Sequence, residues 1–377
     1  MARASQTLVV AGTSARWLAE SAVQGGWSVV ALDLFGDLDT RRIAQRWAPI
    51  GSATTLAIDP GRLRDALAEA LADGACAWLP AGGFEGHADL LDAGGALPCL
   101  GMGRGEVAAV RDPVRFFAGL DWLGLRHPPT QTEPPAAPRG WLAKRAGGTG
   151  GWHIRRADDG HAPAPDTYYQ RAQPGEPMSA LFLADGQRAS LVALNRLLVR
   201  RHGAHPHVYH GAIGPIHHPA LQRRVEGALD AIVPAFGLRG LASLDFVAED
   251  ERPWLLEVNP RPSASMALHG GAFPGGLLRA HAAALAGEPL AEPHHPGGAR
   301  GSEIVFARRA CHVDAALCDT LVSLGHCHDL PGAGSRFATG DPVCSVSAAA
   351  GGPAAVETLL SERRAAIESR LLDQTFE

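Results

Sequence analysis

Residues 7–33 limit the fold more than any other stretch of the chain. Thr7-Leu8-Val9-Val10-Ala11 is a short apolar run, and Gly12-Thr13-Ser14-Ala15-Arg16 follows as a tight turn. Trp17 to Gln24 has helical spacing and stops at Gly25-Gly26, and Val29-Val30-Ala31-Leu32-Asp33 is a second apolar run. Two apolar runs joined through a helix form a parallel pair, because a tight turn cannot connect parallel strands. Helical spacing at Arg62–Ala72, a strand at Cys76–Pro80 and a short one at Pro98–Gly101 extend the pattern. Residues 1–110 are therefore one α/β unit. The run at Thr7 is too short for a signal-peptide core and is taken as the first strand.

The texture then changes. Pro128-Pro129-Thr130 and Pro134-Pro135-Ala136-Ala137-Pro138 mark a linker. Strands at Trp141–Lys144, Tyr168–Arg171, Met178–Leu183 and Ala189–Asn195 point to an antiparallel sheet. Leu221, Val225, Ala228, Leu229, Ile232, Val233 and Phe236 recur at helical spacing, up to Gly237. Two strands, Leu241–Val247 and Trp254–Asn259, flank the polar run Glu249-Asp250-Glu251-Arg252. A helix at Pro274–Ala286 and a Pro/Gly/His loop at 289–301 lead to a small last unit. That unit has strands near Ser302–Ala307 and Val343–Val346 and a helix at 354–372. The expected division is 1–110, 111–295 with a subdomain at 111–185, and 296–377. The class is α/β, with α+β character in the middle.

Composition narrows the function. The 377 residues suit two or three domains at about 150 residues each. A net charge of −5, from 34 basic and 39 acidic residues, argues against a nucleic-acid footprint. No run approaches the about 18 apolar residues of a membrane span. Six cysteines without a CxxC imply free thiols and a cytoplasmic setting. Lys144 is the only lysine; the other basic residues are arginine, and Asn195 and Asn259 are the only asparagines. A composition that excludes Lys and Asn this strongly keeps them where chemistry needs them.

Lys144 ends the strand from Trp141, and Gly147-Gly148-Thr149-Gly150-Gly151 follows. Glycines let backbone N–H groups approach phosphate oxygens, and a lysine adds a point charge. The order is not that of a Walker loop. A plain Gly-rich turn would share the pattern, and the lone lysine favours phosphate. The second constellation is Asp245 with Glu257-Val258-Asn259-Pro260-Arg261. A hairpin symmetric about residue 251 sets Asp245 opposite Glu257 and Ser243 opposite Asn259. All four then share one face, together with apolar Val247 and Leu255. Opposed Cβ atoms lie about 5 Å apart, so the two carboxylates repel unless a cation joins them. Oxygen-only ligands suit Mg²⁺ with substrate phosphates.

Together these residues resemble the ATP-grasp superfamily of ligases. The resemblance implies that Lys144 and Gly147, Gly148, Thr149, Gly150 and Gly151 cover the triphosphate of ATP. It implies that Asp245, Glu257 and Asn259 hold two Mg²⁺ ions. Gln170 and Glu176 fall in the adenine–ribose segment, with Gln170 in place of the usual acid, and Arg111 falls at the entry to the lid, where a lysine is usual. Arg261 would steady the transferred phosphate. Residues 1–110 look like the pre-grasp domain. The run from Asp329-Leu330-Pro331-Gly332 to Gly340-Asp341-Pro342-Val343-Cys344 looks like the closing domain of carboxylase-type members. Gly12–Arg16 and Leu32-Asp33-Leu34-Phe35-Gly36-Asp37 look most like carboligases related to tyramine–glutamate ligase, of methanofuran-type cofactor synthesis.

The resemblance implies a carboxylate–amine ligase that acts through an acyl phosphate. Its partners are a small carboxylate and an amine, with no nucleic acid or membrane, and a homodimer is in keeping with the family. Two alternatives stand beside it. A bicarbonate-using, biotin-carboxylase-like enzyme would need a biotin or purine acceptor, and the chain has no Met-Lys-Met attachment site. An inactive nucleotide-binding regulator would not need the intact Lys144, Asp245, Glu257 and Asn259.

Other signals are weaker. Asp33 lies 21 residues after Gly12, but Ser14 and Trp17 stand where a dinucleotide fingerprint needs glycines. Ser14 and Arg16, at a helix N-terminus, can bind a substrate carboxylate, and Ser14 equally suits an N-cap. Glu85, after a strand end, can meet a substrate amine, or be an ordinary loop acid. His202, His205, His207, His210, His217 and His218 have irregular spacing and suit a surface or substrate-pocket loop. Cys311, Cys318 and Cys327 lack zinc spacing.

Overall fold

The structure, a computed structural model, describes residues 6–295 and 297–374. Four parallel strands open the chain: β1 (Thr7–Ala11), β2 (Ser28–Asp33), β3 (Arg46–Pro49) and β4 (Ala75–Pro80), in the order β3-β2-β1-β4. Helices α1 (Arg16–Gln24), α2 (Leu38–Ile43) and α3 (Pro60–Ala72) make the crossovers that a parallel sheet needs. Pro98–Gly101 is not a strand; it contributes a single bridge, Trp78 to Cys99. Two helices that the spacing did not reveal follow, α4 (Arg104–Arg111) and α5 (Pro113–Trp122). Asp112 separates them and accepts from the Val114 and Arg115 amides, with Pro113 at the first helical position.

A small antiparallel sheet comes next, from β5 (Thr130–Gln131), β6 (Trp141–Arg145), β7 (Ile154–Arg156) and β8 (Thr167–Arg171). Its last strand ends at Arg171. β9 (Glu176–Asp185) already belongs to a larger sheet with β10 (Ala189–His202), β11 (His205–Gly214), β12 (Arg239–Glu249) and β13 (Arg252–Asn259). The last unit joins the larger sheet. Its strands β14 (Ala299–Phe306), β15 (Cys327–His328) and β16 (Pro342–Ala350) complete eight strands in the order β13-β12-β9-β10-β11-β14-β16-β15. The expected boundary at 296 falls on a residue outside the described ones. The segment expected as a histidine loop is the β10–β11 hairpin through His210.

Helix α6 (Pro219–Phe236) covers one face of the large sheet. Its Leu221, Val225, Leu229 and Ile232 share a core with Phe182, Leu244, Phe246 and Val258. Phe246 is fully buried, and truncation of such a ring costs about 3–5 kcal/mol. Gly237 ends the helix at φ 65°, a left-handed cap that glycine adopts without strain. The opposite face meets α7 (Leu277–Leu285) through Leu181, Leu183 and Leu241, and α1 packs on α7 in the same apolar cluster. Part of this second face is polar, and it carries the candidate site. α8 (Ala315–Ser323) and α9 (Pro353–Leu372) pack in the C-terminal third. All six cysteines are free, and among the described residues no helix is long and apolar enough to cross a membrane.

Candidate active site

The β12–β13 turn is made by Asp250 and Glu251, both at positive φ, as two-residue hairpin turns require. That turn centres half a residue before 251. One extra residue in β13 restores the register, so that Asp245 pairs with Glu257 and Ser243 with Asn259. The same bulge turns Leu255 over: it pairs with Phe246 and joins the α6 core, not the polar face.

The polar face extends across neighbouring strands, since Ser179 of β9 stands opposite Asp245 and Asn195 of β10 opposite Ser179. Asp245 Oδ1 accepts from Ser179 Oγ at 2.7 Å, and Oδ2 accepts from Asn259 Nδ2 at 3.1 Å. Both donors are neutral. Burial and the charge of Glu257 therefore push the Asp245 carboxyl upward. Glu257 goes the other way. Burial opposes its charge, but Arg111, with Lys144 and His153, outweighs burial and holds it below the usual range.

Lys144 is buried, and its Nζ donates to Gln170 Oε1 at 2.9 Å. Gln170 donates in turn to Thr130 Oγ1 at 3.2 Å. Lys144 pairs across strands with Tyr168, whose ring lies 5.9 Å from Nζ. The Gly-rich loop after Lys144 is docked on both sides. A Cβ on Gly147 would come within 2.6 Å of Gly86 Cα, and one on Gly151 within 1.8 Å of the His207 carbonyl. Glycine is required at both contacts. Arg111 ties this loop to the polar face: Nη1 donates to Glu257 Oε2 at 3.0 Å, and Nη2 donates to the Ala146 and Gly148 carbonyls at 2.8 and 2.7 Å.

Arg261 stands between the loop and the first domain. It pairs with Glu85 and approaches Thr149 Oγ1 at 3.4 Å. Glu85 also accepts from the Gly83 amide at 2.7 Å, and Arg261, followed by Arg111, holds its carboxyl low against burial. Glu85 is thus drawn to the site, but as the partner of Arg261 rather than as a free acceptor for an amine.

Two expected site residues, Arg16 and Ser14, are placed differently. Arg16 is taken up by Asp329, Glu20 and Asp39, at 2.7, 3.0 and 3.6 Å. It joins the first domain to the last, and its charge is not open to a substrate carboxylate. Ser14 does not cap α1; Ala15 occupies that position, and the Asp33 carboxylate accepts from the Ala15 amide. Asp33 also accepts from Phe35, Gly36 and Trp47, so local bonds consume the acid that a dinucleotide ribose would need. Glu176 is exposed at the start of β9, while Gln173 bonds Glu249.

Sequence reasoning missed Ser179 and His153. His153 packs so closely under Gly148 that a Cβ there would lie 2.1 Å from its ring, and burial pushes its pKa down to about 4. Alternation along the strand at Met178 would have found Ser179; no local pattern marks His153. A second convergence of metal-ligand atoms exists among the described residues, Glu20, Asp39 and His328 within 4.8 Å, but Arg16 already neutralises two of the three.

Residues 110–265 match the family model of the ATP-grasp domain. No curated protein matches the sequence. Among solved structures, pyruvate carboxylase of Rhizobium etli superposes with a TM-score of 0.71 at 16% identity, over 95% of this chain and 37% of that chain. The chain therefore spans little more than a third of that protein. N5-carboxyaminoimidazole synthetase of Staphylococcus aureus gives 0.68 at 13% identity, over 96% and 97% of the two chains. The biotin carboxylase domain dimer of Hydrogenobacter thermophilus 2-oxoglutarate carboxylase, in complex with MgADP and bicarbonate, gives 0.68 at 14%, over 92% and 86%. These likenesses show the fold: a mixed α/β, ATP-grasp architecture.

Proposed function

We propose that this ATP-grasp chain is an ADP-forming ligase that joins a small carboxylic acid to an amine. One observation carries the reading: Asp245, Glu257 and Asn259 share one face of the large sheet, and Arg111 ties Glu257 to the Gly-rich loop that follows Lys144. Two carboxylates in cross-strand register, one of them answered only by neutral donors, fit a divalent cation bound together with phosphates. Asp245, Glu257 and Asn259 would hold that ion, which would neutralise phosphate charge.

The chemistry needs no side-chain nucleophile. A carboxylate oxygen attacks the γ-phosphorus of ATP, the bond to the bridging oxygen breaks, and ADP leaves. The amine nitrogen then attacks the acyl carbon of the acyl phosphate, inorganic phosphate departs, and the amine gives up one proton. The protein's part is position and charge. Lys144, held by Gln170, supplies a fixed cation beside the loop. Arg261, braced by Glu85, supplies a second where the loop meets the first domain. Ser179 and Asn259 orient the Asp245 carboxylate. The finer resemblance to tyramine–glutamate ligases puts glutamate first among acids to test. The test is ADP release screened over acids and amines, with mass detection of the product and with bicarbonate as a separate arm. ADP release that requires an amine and yields the amide supports the reading. Release that requires bicarbonate supports a carboxylase instead.

A further inference from the structure

The row that contains the metal ligands runs past Ser179. Cross-strand partners point to the same side of a sheet. One step beyond the Arg196–Ile213 pair, Asn195 stands level with Gly214, and Gly214 pairs with Arg300 of β14. A Cβ on Gly214 would lie 1.8 Å from Asn195 Oδ1, so the Asn195 carboxamide lies across the bare glycine, toward Arg300. Asn195 is fully buried. Its Oδ1 bonds with His269 Nε2 at 2.8 Å, and its Nδ2 has no partner among the described residues.

Arg300 is equally unusual. Among the described residues, the other buried or half-buried arginines each have a carboxylate or a carbonyl: Arg16, Arg46, Arg111, Arg155, Arg196, Arg261, Arg363 and Arg364. Arg300 is half-buried and has neither. The groups around it are basic. The His295 ring lies 6.3 Å from that of His269, and His217 and His294 stand near His295. Burial, then His295 and Arg300, push the His269 pKa down to about 3, and no acid is among the groups that act on it.

We propose that Arg300 and the Asn195 amide nitrogen, beside the imidazoles of His269 and His295, form a binding site for an anion, a carboxylate or a phosphate group. A guanidinium fork withdrawn from water and an orphan amide N–H both gain from one oxyanion. The site stands on these residues alone. Its use as the anchor for a second anionic group of the acid substrate rests on the ligase reading.

The experiment titrates the full chain with inorganic phosphate and, separately, with glutarate, by calorimetry. Wild type should bind at least one of them, and Arg300→Met should weaken that binding at least tenfold. Asn195→Asp sets an internal carboxylate beside Arg300. It should abolish anion binding and raise the melting temperature, which keeps the test decisive should Arg300→Met fold poorly. Failure of wild type to bind either anion, or equal binding by wild type and Asn195→Asp, overturns the site. The anchoring role is read separately, with the acid found in the ADP screen. Arg300→Met should raise its KM at least tenfold and leave the ATP KM alone; an unchanged KM overturns the anchor and leaves the ligase reading standing.

Discussion

Two regions of this molecule gather carboxylates around an arginine, and they do opposite things with them. On the sheet face, Asp245 stands opposite Glu257, and Arg111 answers only Glu257. Asp245 has neutral donors, and its charge is left for something else. At the junction of the first and last domains, Arg16 spans Glu20, Asp39 and Asp329. There the remaining donors are also spent. Asp39 accepts from the Asp329 and Leu330 amides, Ser345 donates to Asp329, and the Leu38 amide bonds the Leu330 carbonyl. The number of acids is therefore a poor guide to a site. What distinguishes them is whether the molecule has already satisfied them.

The largest effect that would break this contrast concerns the sheet face. Glu257→Gln and Lys144→Ala should each lower ADP release by at least about a hundredfold, since one fixed charge at a phosphoryl-transfer site is worth about 3–4 kcal/mol. Unfolding curves should stay near wild type. Steady-state ADP assays beside circular dichroism decide this, and near-normal turnover would remove either residue from the reaction. Arg111→Met should act next most strongly, because it frees the loop as well as removing a charge. Amide exchange across residues 146–151 should quicken, and the ATP KM should rise by about tenfold. Unchanged exchange would show that the loop is held by its glycine contacts alone.

Arg16→Ala should do the reverse: cost stability and leave both substrate KM values unchanged. Burial alone would lower the affinity of Arg16 for its proton, but Asp329, and then Glu20, hold the guanidinium charged. To break a buried pair costs about 3–5 kcal/mol, and less here, because Glu20 and Asp329 keep contact with water. Denaturant unfolding and paired KM measurements check it. A selective rise in acid KM would return Arg16 to the substrate site.

The same contrast explains what could be read from the sequence. Asp245 and Glu257 are twelve positions apart in one hairpin, so a pairing rule with period two brings them together. That rule located Asn259 as well, yet it misplaced Leu255, because a bulge does not show in apolar spacing. Lys144 and its glycines are contiguous. Arg16 and Asp329 lie 313 residues apart, and nothing near Arg16 signals that a distant loop will claim it. The last strands joined the large sheet for a similar reason: β11 pairs with β14 across α6, β12, β13 and α7, a long-range choice that local patterns do not encode. The two helices at Arg104–Trp122 were hidden by Asp112-Pro113, a helix-stopping pair that here caps the second helix.

The smallest effect separates the two regions by pH. Asp37 borders the Arg16 junction. Burial, then Asp329, Asp33 and Asp39, raise its pKa from 3.8 to about 8. A carboxyl raised in the folded state binds its proton more tightly there than in the unfolded chain. Its contribution is fully present below the unfolded value and is lost as pH rises through the folded one. Between about pH 4 and 8 the wild type should therefore lose stability at this residue. Asp37→Asn keeps the shape and removes the charge. Its melting temperature should match wild type near pH 4 and exceed it by a few degrees above pH 8, while ADP release at neutral pH stays close to wild type. Parallel melting curves would mean that Asp37 is already satisfied as a carboxylate, and that the junction, like the sheet face, has charge to spare.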